Sequence, residues 1–304
     1  AKVSYDDNPT KWLSTSVNML VNHTWGNRTS DNPYSQGGLR TMIEQVPFLP
    51  VSLNGEYMQN NMIRTTAILK DKNDPSRGYQ GFQPEGVGNP VEIFKRVESM
   101  SYNTQIFGNA ALTFHLLKGL DLKTQVGVDY HNGRSQGYTP FKPHQIIDMS
   151  ANGSASASNS SSLYWQEETY LTYIKDFDKH HLNAMAGASW QARKYTYFGA
   201  SDSKFMDDYY GFYNLGAGTE KPSVGSDYDK WAMNSYFLRL AYNYNNTYMA
   251  TVTGRYDGSS KFGENNKYAF FPSVGLGWLA SNEKFLENNK TISKLKLHTS
   301  FGMT

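Results

Sequence analysis

The chain has 304 residues, 38% of them hydrophobic and 14% aromatic, with 22 Tyr, 16 Phe, 26 Gly, no Cys and a net charge of +2. So small a charge leaves no electrostatic footprint for nucleic acid or an anionic membrane surface, and without cysteine there is no disulfide framework, zinc thiolate or thiol nucleophile. No run approaches the roughly 20 apolar residues of a membrane-spanning helix, which excludes a helical membrane protein and leaves a transmembrane β-barrel or a soluble β-sandwich.

In chain order, Ala1 to Thr10 is polar and lacks the apolar stretch of a signal peptide, so either one was removed or the chain begins internally. Period-two alternation then begins: Leu13, Thr15, Val17, Met19 and Val21 oppose Ser14, Ser16, Asn18, Leu20 and Asn22, which predicts a strand near 11–23. In the long connection that follows, Leu39, Met42, Ile43 and Val46 stand at helical spacing and Pro47 ends the run. Ile106, Gly108, Ala110, Leu112, Phe114 and Leu116 mark a strand near 102–116. A turn at Lys118-Gly119 leads to Leu122, Thr124, Val126, Val128 and Tyr130, a strand near 120–131. The Ser/Ala/Asn run 151–162 reads as a low-complexity loop tip with no drive to pack. Strands near 163–175 and 181–192 follow, with His180-His181 in the short turn between them. Tyr236, Leu238, Leu240, Tyr242 and Tyr244 share one face of a strand near 234–244. Asn245-Asn246-Thr247 turns the chain into a strand near 247–257, where Tyr248, Ala250, Val252, Gly254 and Tyr256 continue that face. Strands near 268–280 and 293–304 close the series, with a helical turn expected in 281–292.

Nine strands of about 10 residues, with aromatics near both ends of the apolar face, fit tilted membrane strands between two aromatic girdles. Long and short connections alternate as external loops and periplasmic turns do in outer-membrane barrels. On that reading 23–101, 132–162, 193–233 and 258–267 are external loops, and 1–304 is one piece of a barrel domain. An odd strand number leaves open edges, which hydrocarbon does not tolerate, so a segment of a longer chain is expected.

The stretch Gly254-Arg-Tyr-Asp-Gly-Ser-Ser-Lys-Phe-Gly-Glu-Asn-Asn-Lys-Tyr-Ala-Phe-Phe-Pro-Ser273 resembles the signature hairpin of the SusC/RagA family of TonB-linked outer-membrane transporters. Val274-Gly-Leu-Gly-Trp278, Glu283-Lys-Phe285, Ile292-Ser-Lys-Leu-Lys-Leu297 and Ser300-Phe-Gly-Met-Thr304 continue the resemblance. Weaker matches lie upstream at Gly108-Asn-Ala, Leu117-Lys-Gly-Leu120, Val126-Gly-Val-Asp-Tyr130, Pro47-Phe-Leu-Pro-Val51 and Asn54-Gly-Glu-Tyr57. Lys261 stands where the family often has Arg, with charge retained; the family's plug domain and TonB box have no counterpart here. The resemblance implies an all-β antiparallel transmembrane barrel of about 22 strands around a plug. It also implies TonB-dependent import of a bulky nutrient across the bacterial outer membrane, oligosaccharide first and peptide second. The implied partners are TonB, a SusD-like surface lipoprotein and the lipid bilayer.

Lys123, Asp129, Arg239, Arg255 and Asp257 fall on the polar strand faces, so they line a solute path, brace a plug, or are ordinary solvated lumen residues. Trp25, Tyr34, Tyr209, Tyr210, Phe212, Tyr213 and Trp231, read as loop aromatics, are candidates for ligand stacking or for sealing against the lipoprotein cap. Asp257-Gly258-Ser259 and Phe262-Gly263 read as a tight loop with positive φ at both glycines, and Pro272 as a bulge or strand start. Glu167-Glu168 point to opposite faces and cannot pair as acid and base. Asp207-Asp208 has calcium-compatible oxygens without a binding-loop pattern. No phosphate loop, nucleophile elbow, metal-ligand spacing or cofactor motif is present, so an enzyme is not expected. The alternatives are a polysaccharide-binding β-sandwich and a barrel enzyme acting through external-loop carboxylates.

Overall fold

The computed structural model describes residues 1–28, 38–58, 69–70, 78–79, 88–140, 153–286 and 291–303. In chain order the elements begin with β1 (Lys2–Thr10), β2 (Leu13–Asn27) and α1 (Gly38–Glu44). Two small hairpins follow, β3 (Ser52–Leu53) with β4 (Glu56–Tyr57) and β5 (Leu69–Lys70) with β6 (Gly78–Tyr79), then α2 (Pro90–Arg96). The long strands are β7 (Glu98–Leu117), β8 (Leu120–Thr139), β9 (Ser154–Phe177), β10 (His180–Ser203) and β11 (Ser223–Tyr244). The series ends with β12 (Tyr248–Ser259), β13 (Tyr268–Leu279) and β14 (Lys296–Gly302). Ten strands make one antiparallel sheet in the order β1-β2-β7-β8-β9-β10-β11-β12-β13-β14.

The expected count of nine is corrected to ten. The added strand is β1, whose Asp, Asn and Pro hide it from a hydrophobic pattern. Its register places Val3 and Tyr5 opposite Met19 and Val17 all the same. The strands also outrun their expected ends: β9 starts at Ser154, so 154–162 is a wall of sheet rather than a loop tip. Two paired neighbours supply the ladder bonds there, and no side-chain packing is needed.

Backbone chemistry explains the turns. Asn245 and Asn246 both take positive φ, as the central residues of a primed turn do, and Thr247 N closes that turn onto the Tyr244 carbonyl. Gly119 has φ +80°, and a Cβ there would sit 2.1 Å from the Ile174 carbonyl oxygen. The β9–β10 turn is Asp178-Lys179, and both His180 and His181 belong to β10, not to the turn as expected. Gly258 and Gly263 lack the expected positive φ. Gly258 lies inside β12, where a Cβ would meet the Tyr268 ring at 2.3 Å; the glycine makes room for that ring. Pro272 sits inside β13 with neither bulge nor strand start. Its carbonyl accepts from Met303 N, so its ring nitrogen faces the β14 side just beyond the last pair of that ladder, and no bond to β12 is lost.

Directly paired residues share a face. One face carries rows such as Thr15–Leu112–Thr124–Thr169–Ala188–Tyr236–Tyr256–Phe270. Its large side chains are open: Leu238 is 56% exposed, Phe270 59% and Leu276 56%. So broad an apolar face on a single sheet marks contact with a non-aqueous medium. Among the described residues no second sheet covers it. Glu167 is an ionisable side chain on this face; its Oε1 accepts from the hydroxyls of Thr124 (3.2 Å) and Thr169 (2.6 Å).

The buried cores lie off the alternating stretch. Val46, Leu49 and Met58 form one after α1, with Leu53 packed on it, while Met42 and Ile43, two of the residues at helical spacing, are 58% and 75% exposed. After β13 the expected helical turn appears as a short 3-10 turn, Ala280–Asn282.

Candidate functional site

The polar face holds all five residues expected on it. Lys123, Asp129, Arg239, Arg255 and Asp257 pair with Tyr170, Tyr164, Met185, Phe237 and Ser235, which link strand to strand on one side of the sheet. The face is braced by its own hydrogen bonds. Gln105 donates to Asp129 (3.3 Å) and Gln125 to Glu168 (2.6 Å). Arg255 Nε donates to both oxygens of Asp257 (2.7 and 3.0 Å) and its Nη2 to Ser235 Oγ (2.9 Å), with the guanidinium 5.9 Å from the Phe237 ring centroid. Asp257, expected both on the polar strand face and at the start of a tight loop, is an in-strand partner of Arg255. The cationic end of Lys123 lies 6.0 Å from the Tyr170 ring centroid.

The seven aromatic candidates separate. Trp231 is on the polar face of β11, where its ring meets Tyr164 at 6.1 Å between centroids. Trp25 is in β2 on the apolar face, paired with Tyr102 and 70% exposed; it is a strand residue because the ladder continues past the expected end. Tyr34 lies outside the described residues. Phe212 is buried in a cluster with Tyr138, Ala155 and Phe205, which withdraws it from ligand contact. Tyr209 and Tyr213 are each 83% exposed, and Tyr210 is half open.

That cluster is a second ordered region at the far ends of β8, β9 and β10. Tyr138 and Phe205 pack edge to face at 6.1 Å, and the Tyr138 hydroxyl donates to Asp208 Oδ1 at 2.7 Å. Tyr138 lies beyond Tyr130, where the alternating stretch ends, and burial together with the Asp208 acceptor raises its phenol above the usual tyrosine range. Asp208 also accepts from Arg96 Nη2 (3.0 Å), whose Nη1 serves the fully buried Glu92 of α2 (2.8 Å). Asn89 caps α2 through Val91 N and Glu92 N and donates to the carbonyls of Val51 and Met58. The segment before β7 is thus tied to the segment after β10. The Asp207-Asp208 oxygens are engaged in this framework, Asp207 accepting from Tyr209 N.

Sequence reasoning did not find Phe107, Tyr164, Gln166, Gln191 and Arg193, which share the polar face with Asp129 and Trp231. Counting pairs back from each turn would have aligned the tight hairpins. The β7–β8 ladder carries an irregularity between His115 and Leu117, and β8–β9 is joined by a long connection, so register across them is not countable from sequence.

No protein-family model matches the chain. It is 31% identical over 210 residues to TonB-dependent receptor P39 of Formosa agariphila, covering 68% of this chain and 20% of that one. It is 27% identical over 292 residues to TonB-dependent receptor SusC of Bacteroides thetaiotaomicron, covering 91% of this chain and 27% of that one. The chain therefore spans about a fifth to a quarter of the length of these relatives. The RagAB peptide importer in its open-open state superposes with a TM-score of 0.72 at 22% identity, over 99% of this chain and 31% of that one, so the ten-stranded sheet is an arc of such a barrel. The chain belongs to the SusC/RagA family of TonB-dependent receptors and forms part of its β-barrel.

Proposed function

We propose that the whole protein is an outer-membrane importer that takes up a bulky nutrient with TonB and a SusD-like surface lipoprotein, and that this chain is one arc of its wall. The observation carrying the reading is the division of ten continuous strands into an exposed apolar face, rimmed by Tyr and Trp, and a polar face. The apolar face then meets lipid and the polar face lines the lumen, with Lys123, Asp129, Arg239, Arg255 and Asp257 along it. The ends bearing β8–β9 and β10–β11 connections are external, and the exposed Tyr209 and Tyr213 sit where a lipoprotein cap would close. The relatives it resembles are receptors, which supports reading the protein as a transporter and not an enzyme.

Oligosaccharide is the first substrate class, because the polar face combines amides, carboxylates and aromatic rings. Peptide is the second, favoured by the likeness to a peptide importer in fold. Growth of a deletion strain, alone and complemented with the full-length gene, on purified polysaccharides and on a peptide digest tests the proposal. Growth lost on one polysaccharide and restored by the gene, but not when the proton gradient is collapsed, is the expected result. Unchanged growth and uptake on every substrate rejects the importer.

A further inference from the structure

We propose that Phe107, Tyr164 and Trp231, with Asp129 and Arg193 between them, form a binding subsite for a linear neutral glycan on the lumen wall; this rests on the importer reading above. Register carries the argument. Phe107 pairs with Asp129, Asp129 with Tyr164, Tyr164 with Arg193 and Arg193 with Trp231, so five neighbouring strands place five side chains in one lateral row. Adjacent strands lie about 4.8 Å apart, so an aromatic position recurs about every 10 Å, with an acid or a base between.

Phe107 is 50% exposed on the polar face, beside Leu20 of β2, while Tyr164 and Trp231 are half-buried. Tyr164 and Trp231 lean together over the row with 47° between their planes. Immediately along the strands stand Asn109, Gln166 and Gln191, and the Tyr164 hydroxyl lies 2.7 Å from the side-chain amides of both glutamines. A pocket of about 250 Å³ opens between Phe107, Asn109, Gln125, Asp129, Tyr164 and Gln166. Its floor is Gly127, above which a Cβ would meet only one backbone oxygen, 4.0 Å away.

Ring, amide and carboxylate answer the two surfaces of a pyranose. Its C–H face stacks on an aromatic ring, and its hydroxyl edge donates to and accepts from planar amides and a carboxylate. Two aromatic platforms along the row, Phe107 and the Tyr164–Trp231 pair, suit a polymer of rings. One acid and one base in the row leave no net charge, which fits a neutral chain. A peptide commonly binds a sheet by adding a strand at a free edge. Strands β7 to β11 are paired on both sides and offer none.

The test uses the full-length receptor purified in detergent, with cellohexaose, xylohexaose, mannohexaose, maltohexaose and a random octapeptide pool as probes in calorimetric titration. Phe107→Ala, Tyr164→Ala and Trp231→Ala are compared with Trp231→Phe, which keeps a ring, and with Leu238→Ala on the apolar face. Heat-modifiable gel mobility confirms that each barrel is folded. Wild type is expected to bind at least one hexasaccharide, each aromatic-to-alanine change weakening it about tenfold and Trp231→Phe by less than threefold, with Leu238→Ala unchanged. Hexasaccharide binding that all three alanine variants retain in full overturns the subsite and leaves the importer standing. Binding of peptide alone overturns the glycan assignment. Wild type binding none of the probes overturns the subsite, and if the deletion strain also grows normally on every substrate the importer falls with it.

Discussion

Arg255 is held by three groups: two carboxylate oxygens of Asp257, the Ser235 hydroxyl and the Phe237 ring. The Arg255 side chain is 41% exposed and that of Asp257 17%, so solvent screens much of the attraction. Asp257→Asn is expected to lower stability by only about 0.5–1 kcal/mol, read by urea titration of the full-length barrel in lipid vesicles. A double-mutant cycle with Arg255→Gln isolates the pair; a coupling energy indistinguishable from zero contradicts the brace. Both residues were legible in sequence as lumen-face candidates, because alternation places 255 and 257 together. That Asp257 serves Arg255, and not a loop, was not legible. The strand continues to Ser259, and its end is set by pairing with β11 and β13.

Among elements, the tight hairpins were readable and the long connections were not. Lys118-Gly119 and Asn245-Asn246 announce turns because positive φ limits the residue choice. β1 and the start of β9 carry polar sequences, and only their paired neighbours make them strands. Phe212, exposed in expectation, is buried because Tyr138 and Phe205 arrive from elements distant in sequence. Gly119 offers a sharp test of the hairpin logic. Its φ of +80° is strained for any side chain, and a Cβ at 2.1 Å from the Ile174 oxygen collides with the β9 backbone. Gly119→Ala is expected to cost more than about 1 kcal/mol and to reduce the heat-modifiable, folded fraction of refolded protein. Lys118→Ala on the same turn lacks both penalties and serves as the control. Equal folded fractions in the two variants would show that the turn relaxes freely.

On the scale of the molecule, one alternation gives ten strands two environments, and lumen chemistry and membrane residence separate residue by residue. Leu238 and Thr251 make the contrast measurable. Leu238 pairs with Gly254 on the apolar face and lies between Tyr236 and Tyr242 in the middle of the band. Thr251 pairs with Ala241 and Gly275 on the polar face at a neighbouring level. An arginine at the lipid-facing midplane costs about 2–4 kcal/mol, whereas a lumen arginine stays hydrated. Leu238→Arg is therefore expected to lower the unfolding free energy of the full-length barrel in vesicles by that amount, and Thr251→Arg by less than about 0.5 kcal/mol. Reversal of the two effects would turn the sheet inside out: the row from Phe107 to Trp231 would face lipid, and no glycan could reach it. The expected order ties lipid contact, the lumen wall and the substrate row to a single period of two.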